Sequence, residues 1–159
     1  MREARVIREW NVIATMREGR FQEALAVLER FGEVSPTDYY DVAALRTADI
    51  PRFLQDMKEA YEREPALPGL FGRLAPVTER FTFQSPDEFE TRAVETALAW
   101  LDSLHGKSFH VRMHRLGFKG RLQSQKEEQF LDRFLRESLE QIDVVASVTF
   151  DDPDFILDV

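Results

Sequence analysis

Two spacings of hydrophobic residues alternate along this chain, and that alternation restricts the folds open to it. Apolar side chains occupy every second position from Trp10 to Met16, which is typical of a strand with one buried face. From Phe21 to Leu28 the spacing changes to three and four, which predicts a helix. The change between these two spacings recurs through both halves of the chain. We therefore predict an α/β fold, an α+β sandwich with helices packed over a sheet.

Residue types at the element boundaries give the expected order. After the first strand and helix, the sequence predicts a turn at 35–38, a strand at 39–45, a helix from Asp49, an extended piece at 70–83, a helix from Ser85 to Gly106, a strand at 109–113, a helix from Ser124 to about Gln141, and strands at 144–150 and 155–159. Ser85 and Ser124 each precede a Glu by three residues, the pattern of a capping box. The clearest boundary lies near Ser85, so we predict domains at 1–84 and 85–159.

Composition excludes several classes of protein. The chain has 43% hydrophobic residues, including 13 Phe, which is enough for a packed core. It has no Cys, which excludes disulfides, thiolate zinc sites and cysteine nucleophiles. No apolar run is long enough for a membrane span, and the N-terminus lacks the apolar run of a signal peptide. We expect a cytoplasmic protein, with a short natural tail after the apolar strand 155–159.

Charge is distributed unevenly along the chain. The net charge is −8, yet residues 105–126, which we call the acid-free segment, contain six Lys or Arg, all three His and no acidic residue. Alternation along 109–114 predicts one apolar and one cationic face for that strand. The expected helix N-terminus at Ser124 would add free N–H groups that attract anions. The candidate anion-binding residues are Lys107, His110, Arg112, His114, Arg115, Lys119, Arg121, Ser124 and Lys126.

Other readings of these residues remain open. The cations of the acid-free segment could pair with the acid-rich remainder of the chain instead of binding a ligand. Neither the histidines nor the acidic turn 151–154 forms a convincing ligand set, so we predict no metal and no cofactor. Gly117 and Gly120 match the short GxxG loop that contacts nucleic-acid backbone, but that loop lies between two helices where it is best known. The nucleophile and phosphate motifs of common enzymes are absent, and we predict no catalytic activity.

Residues 108–117, Ser-Phe-His-Val-Arg-Met-His-Arg-Leu-Gly, resemble the Phe-x-Val-Arg-x-x-Arg strand of the THUMP domain. The capped helix at 124–141, the turn at 152–154 and a final apolar strand follow in that family's order. Upstream, residues 73–77 resemble the segment that enters THUMP in the stand-alone family of tRNA acetyltransferase adaptors. The ferredoxin-like N-terminal half of that family would match residues 9–64. The resemblance thus implies a ferredoxin-like domain within 1–84 and a THUMP-like RNA-binding domain at 85–159, whose family boundary could lie earlier, near residue 50.

This resemblance implies a function as well as a fold. THUMP domains with a ferredoxin-like neighbour bind tRNA, in several relatives at the acceptor stem and CCA end, and present it to a modification enzyme. The chain would then be an adaptor that binds tRNA, and a separate RNA-modification enzyme would be its partner. Arg112 and Arg115 match the basic strand of the family, and Lys119 and Arg121 follow it. Two alternatives remain: a protein-interaction module without RNA binding, and a small enzyme for a phosphorylated metabolite. Whether a homodimer joins two acid-free segments is also open.

Overall fold

A computed structural model describes residues 9–116 and 120–159. The chain divides into two compact units, of which the first ends at Arg80 and the second begins at Phe81. None of the helices in the described ranges combines the length and the apolar character that a membrane crossing needs.

The first unit is built on an antiparallel sheet. Its described elements are β1 (Val12–Met16), α1 (Phe21–Leu28), β2 (Glu33–Pro36), β3 (Val42–Arg46), α2 (Ile50–Arg63), a 3-10 turn (Leu67–Leu70) and β4 (Phe71–Pro76). The strand order is β2-β3-β1-β4, and every neighbouring pair is antiparallel. Two split β-α-β units arranged in this way form a ferredoxin-like fold.

The core of the first unit follows the predicted hydrophobic spacing. Val12, Ala14 and Met16 are buried on one face of β1 and pack against buried residues of α1 and α2. Asp49 caps α2 as predicted, since its carboxylate accepts a hydrogen bond of 3.0 Å from the Arg52 N–H. Strand β1, helix α1 and the start of α2 are therefore confirmed.

Strand β2 was not predicted, because Ser35 and Pro36 were interpreted as part of a turn. The structure places both in a strand at the edge of the sheet, with Pro36 opposite Ala43. An edge strand tolerates proline because one side of it needs no N–H donors. Gly32 allows the backbone before β2 to lie close to the end of β3, since a Cβ at this position would overlap the carbonyl oxygen of Arg46.

Residues 71–76 belong to the first unit. They form β4, which pairs with β1 from Phe71 to Pro76 and completes the four-stranded sheet. The ferredoxin-like unit therefore extends beyond residue 64, where the sequence resemblance placed its end. The resemblance missed this strand because it interpreted residues 73–77 as the entry to the next domain.

The second unit contains a parallel sheet. Its described elements are α3 (Pro86–Ala97), a 3-10 turn (Leu98–Trp100), α4 (Leu101–Leu104), β5 (Ser108–Arg112), α5 (Ser124–Gln141), β6 (Ser147–Val148) and β7 (Phe155–Asp158). The strand order is β6-β5-β7, and both pairs are parallel. The predicted helix at 85–106 is thus interrupted by a 3-10 turn. Strand β6 is much shorter than the predicted strand at 144–150.

The two predicted capping boxes have different outcomes. Ser85 caps α3, where it accepts a hydrogen bond of 3.2 Å from the Glu88 N–H, and the Glu88 carboxylate accepts one from the Gln84 N–H. At α5 the prediction is wrong by one residue. The N-cap is Gln123, whose side chain makes no capping bond, and Ser124 is already helical. The Glu127 side chain is buried instead of reaching back to the helix start.

Candidate functional site

The sheet of the second unit has one face in the core and one face that carries polar residues. Phe109, Val111 and Leu157 join the helices in the hydrophobic core. Side chains alternate between the two faces along a strand, so Arg112 and Asp158 lie on the opposite face. Both of these residues are exposed. We call this surface, formed by Arg112, His114, Ile156 and Asp158, the polar sheet face.

Three cations of the acid-free segment remain accessible near this sheet. Arg112 ends β5, and Arg121 lies just before α5; both are exposed, and neither pairs with an acidic residue in the described ranges. Lys107 precedes β5, and its Nζ lies 5.7 Å from the centre of the Phe155 ring. These side chains can approach phosphate without first losing a direct ion pair.

His114 and Asp158 form an ion-pair geometry on the polar sheet face. The His114 Nε2 lies 2.9 Å from Oδ1 of Asp158, and both side chains are partly exposed. Asp158 is also the sheet register partner of Arg112. A carboxylate therefore lies beside Arg112 and His114 of the acid-free segment. It belongs to a strand more than forty residues later in the chain.

His110 is buried, so the predicted cationic face of β5 is wrong at this position. The residue is 7% exposed, and its ring meets the Phe150 ring edge-on with 4.7 Å between the centres. Its Nδ1 lies 2.9 Å from Oδ2 of Asp132. Because Phe150 and Asp132 occupy the space around it, His110 is not available to phosphate.

Helix α5 supplies carboxylates to the backbone of β5. Asp132 accepts a hydrogen bond of 2.7 Å from the Val111 N–H, and Glu128 accepts one of 2.8 Å from the Met113 N–H. Burial raises the pKa of the Asp132 carboxyl, and the bonds from Val111 and His110 oppose that shift only in part. These bonds attach α5 to β5 and hold the strand that carries Arg112.

Lys126 pairs with helix α3. Its Nζ lies 3.0 Å from Oε1 of Glu90 and 3.8 Å from Oε1 of Glu127. The bond to Glu90, reinforced by the charges of Glu127 and Glu90, raises the pKa of Lys126. For this cation, internal pairing is the arrangement that the structure has. Ser124, which was predicted to cap the helix beside it, makes no capping bond.

The loop between β5 and α5 is described in part. Arg115 donates a hydrogen bond to the carbonyl oxygen of Leu122. This bond connects the two described sides of the loop. Gly117, Phe118 and Lys119 of the Gly117–Gly120 motif lie outside the described residues.

The acidic turn at 151–154 has a structural contact. Asp154 accepts hydrogen bonds from the backbone N–H and the hydroxyl of Ser108, at 2.8 and 2.9 Å. These bonds lower the pKa of Asp154. In 9–116 and 120–159, no group of three or more histidine and acidic side chains is arranged to hold a metal ion.

The structure thus brings together only part of the predicted site. Arg112 and His114 share the polar sheet face. Lys107 lies just before β5, and Arg121 lies just before α5. His110 is buried, and Lys126 pairs with Glu90 of α3. Asp158 and Asp132 were missed. Their partners are distant in sequence, and an isolated Asp carries no local signal of such a contact.

Comparison with known proteins identifies the fold. The chain is similar to a crystal structure of PH1313 from Pyrococcus horikoshii OT3, with a TM-score of 0.56 and 11% identity, over 94% of this chain and 50% of that one. It is also similar to a 4-thiouridine synthetase, solved as an RNA complex with bound ATP, with a TM-score of 0.54 and 15% identity, over 95% of this chain and 38% of that one.

The chain spans half or less of these two proteins. No family model and no curated protein sequence matches it. Identities this low show a shared fold alone. The structural similarity and the strand orders described above together confirm the predicted fold class. The chain is an α/β protein with a ferredoxin-like unit followed by a THUMP-like unit.

Proposed function

We propose that this chain binds RNA, and specifically that it is a tRNA-binding adaptor. The observation that supports this best is the fold it shares with a 4-thiouridine synthetase solved in complex with RNA. The exposed cations of the acid-free segment, on and beside the polar sheet face, supply the chemistry for phosphate contacts.

The phosphate contacts would come from few side chains. Arg112 and Arg121 are exposed and unpaired within the described ranges, and Lys107 lies beside the Phe155 ring. Three or four phosphate contacts correspond to a salt slope of about −2 to −4. Such contacts position an RNA without reading its sequence, so recognition of a tRNA would depend on shape and on its single-stranded CCA end.

The adaptor role assigns the chemistry to another polypeptide. In this proposal the chain has no activity of its own and presents the acceptor stem and CCA end to a separate RNA-modification enzyme.

The first experiment measures binding of deacylated tRNA, with and without its CCA end, by fluorescence anisotropy at low and moderate salt. We expect salt-dependent binding that weakens without CCA. Arg112→Glu should weaken it about tenfold or more, because reversal replaces a phosphate contact by repulsion. Arg133→Glu, on the exposed side of α5, is the matched control. The proposal is wrong if the wild-type chain binds no tRNA at low salt, or if both variants weaken binding equally.

A second candidate function, protein interaction without RNA binding, has its own supporting observation. A groove of about 440 Å³ between α3 and α5 is lined by apolar and acidic side chains together with one Thr: Val94, Phe130, Asp87, Glu90, Glu95 and Thr91. A groove lined by apolar and acidic side chains suits a basic segment of a partner protein that also carries apolar residues. This candidate predicts that Arg112→Glu leaves function unchanged, whereas Val94→Asp weakens association with a purified partner. The same groove would serve to dock the enzyme if the adaptor role is correct.

A further inference from the structure

Asp158 lies beside two of the residues that would contact RNA, Arg112 and His114. It ends β7 and faces the same side of the sheet as Arg112, its register partner on β5. Neighbouring strands are about 4.8 Å apart, so the two side chains start from adjacent positions. The Asp158 Oδ1 also lies 2.9 Å from the His114 Nε2. One carboxylate thus lies beside two of the side chains that would meet a phosphate, Arg112 and His114.

Folding of the strand does not require this carboxylate. The backbone pairs β7 with β5 from Phe155 to Asp158, and the His114 N–H bonds to the carbonyl oxygen of Val159. The His114–Asp158 pair is partly exposed, at 39% and 45% of the side-chain surface. Exposed ion pairs contribute little to stability. Asp158 therefore adds a negative charge to the polar sheet face.

The other acidic residues near the acid-free segment have different contacts. Asp132 is buried and holds Val111 and His110, and Asp154 binds Ser108. Glu90 pairs with Lys126 in the helix layer. Asp158 differs because its partner His114 is exposed and because Arg112 lies beside it. A phosphate that approaches Arg112 and His114 would take the place that this carboxylate holds.

We propose that Asp158 is an internal competitor of RNA phosphate, which lowers the affinity of the polar sheet face for RNA. The carboxylate occupies His114 and reduces the potential at Arg112 in the free protein. RNA must displace it, and in the complex it remains a negative charge near the phosphates. This inference rests on the proposed RNA binding and adds to it that the affinity is held low by the chain itself.

The size of the effect follows from charge and distance. A repulsion between two unit charges about 4 Å apart in water corresponds to about a fivefold change in a binding constant. Most of that change is expected in the dissociation rate, because the competitor acts at close range once the complex has formed. Weak, rapidly reversible binding suits an adaptor that must hand its RNA to another protein.

The experiment compares Asp158→Asn with Asp102→Asn. Both remove one negative charge from the second unit, and Asp102 lies in α4, outside the polar sheet face. The Asn at position 158 can still accept a hydrogen bond from His114, so folding should be retained, and thermal unfolding checks this. With deacylated tRNA at low salt, Asp158→Asn should bind about fivefold more tightly and dissociate more slowly. Asp102→Asn should change the binding constant less than twofold.

A double-mutant cycle tests the assigned route. If Asp158 acts by occupying His114, the gain from Asp158→Asn should shrink at least twofold in a His114→Ala background. An equal gain in both backgrounds would refute displacement from His114.

Each other outcome has a definite meaning. Equal gains from the two Asp→Asn variants would show a general charge effect and overturn the competitor role. Weaker binding by Asp158→Asn would show that the carboxylate contacts the RNA directly, and would also overturn it. If the wild-type chain binds tRNA and Asp158→Asn changes nothing, only this inference fails. If neither binds at low salt, the proposed RNA binding fails as well.

Discussion

The two units bury different chemistry. Within the described residues, Ser35 is the only buried polar residue of the first unit, whereas the second unit buries His110, Glu127 and Asp132. Both units have an extensive apolar core. Two of these ionisable residues lie at the candidate site, because Asp132 bonds to His110 and to the Val111 N–H, next to Arg112 on β5. The stability of the second unit should therefore depend on pH and on the hydrogen bonds of its buried residues. The stability of the first unit should depend mainly on the volume of its buried side chains.

The chain provides one tryptophan for each unit, which allows this comparison to be measured. Trp10 lies in the first unit, with the Arg80 guanidinium 5.3 Å from its ring centre, and Trp100 in the second unit lies 5.8 Å from Phe155. Two single-tryptophan backgrounds, Trp100→Phe and Trp10→Phe, would report urea unfolding of the first and second unit in turn.

The largest expected effect is in the first unit. Leu45 on β3 is fully buried in the core, so Leu45→Ala should lower the free energy of unfolding by about 2–5 kcal/mol. Trp10 fluorescence should report this loss with similar size at pH 5 and pH 8, because no ionisable group is involved. A loss that changes by more than about 1 kcal/mol between the two pH values would contradict the comparison.

In the second unit, Asp132→Ala should cost about 2–4 kcal/mol, reported by Trp100. It leaves the Val111 N–H and the His110 ring without their partner inside the protein. Asp132→Asn is the matched control, because its amide oxygen can still accept one of these bonds, and it should cost clearly less. Equal costs for the two variants would show that volume, and not hydrogen bonding, determines the contribution of Asp132.

Glu127 should respond in the opposite direction. Burial raises the pKa of this carboxyl, which is 1% exposed, and its Oε2 has no partner inside the described protein. The folded state then holds the proton more tightly than the unfolded state, so wild-type stability falls as the pH rises above the ordinary value of 4.5. Glu127→Gln should raise the free energy of unfolding by about 1 kcal/mol at pH 7.

The same substitution should have little effect near pH 4, where the carboxyl is protonated in both states. Urea unfolding of the variant and the wild type across this pH range tests the sign. A gain that is as large at pH 4 as at pH 7 would argue against the buried charge as its cause.

The smallest effects should be the same in both units. Asp49→Ala at α2 and Ser85→Ala at α3 each remove one capping bond at an exposed helix start. Each should cost about 1 kcal/mol, because the caps are local and do not depend on the interior. A cost at Ser85 that exceeds the one at Asp49 by more than about 1 kcal/mol would extend the difference between the units to their helix ends.

Local signals in the sequence predicted the parts of the fold that depend on local contacts. Hydrophobic spacing gave β1 and α1, and the caps at Asp49 and Ser85 are found as predicted. Strand β2 was missed because Pro36 signals a turn unless the strand is known to lie at a sheet edge. The cap at Ser124 was wrong because Glu127 is buried near Glu90 of α3, which depends on tertiary structure.

The candidate site was predicted as residue types and not as an arrangement. Arg112 and His114 share the polar sheet face, as alternation along β5 predicts. The burial of His110 depends on Phe150 and Asp132, which are 40 and 22 residues further along the chain and have no pattern that connects them to it. The same holds for Asp158. Neutralisation of a basic segment by distant acids is decided by tertiary structure.

The carboxylates of α5 also determine how the sheet of the second unit ends. Strand β6 pairs with β5 only at Ser108 and Phe109, and beyond it Asp132 and Glu128 bind the N–H groups of Val111 and Met113. Those N–H groups would otherwise form an open strand edge, which can recruit a strand from another molecule and start aggregation. Because Asp132 and Glu128 of α5 bind these N–H groups, they are not available to a strand from another molecule. Variants that shorten these side chains should therefore be tested for self-association as well as for stability.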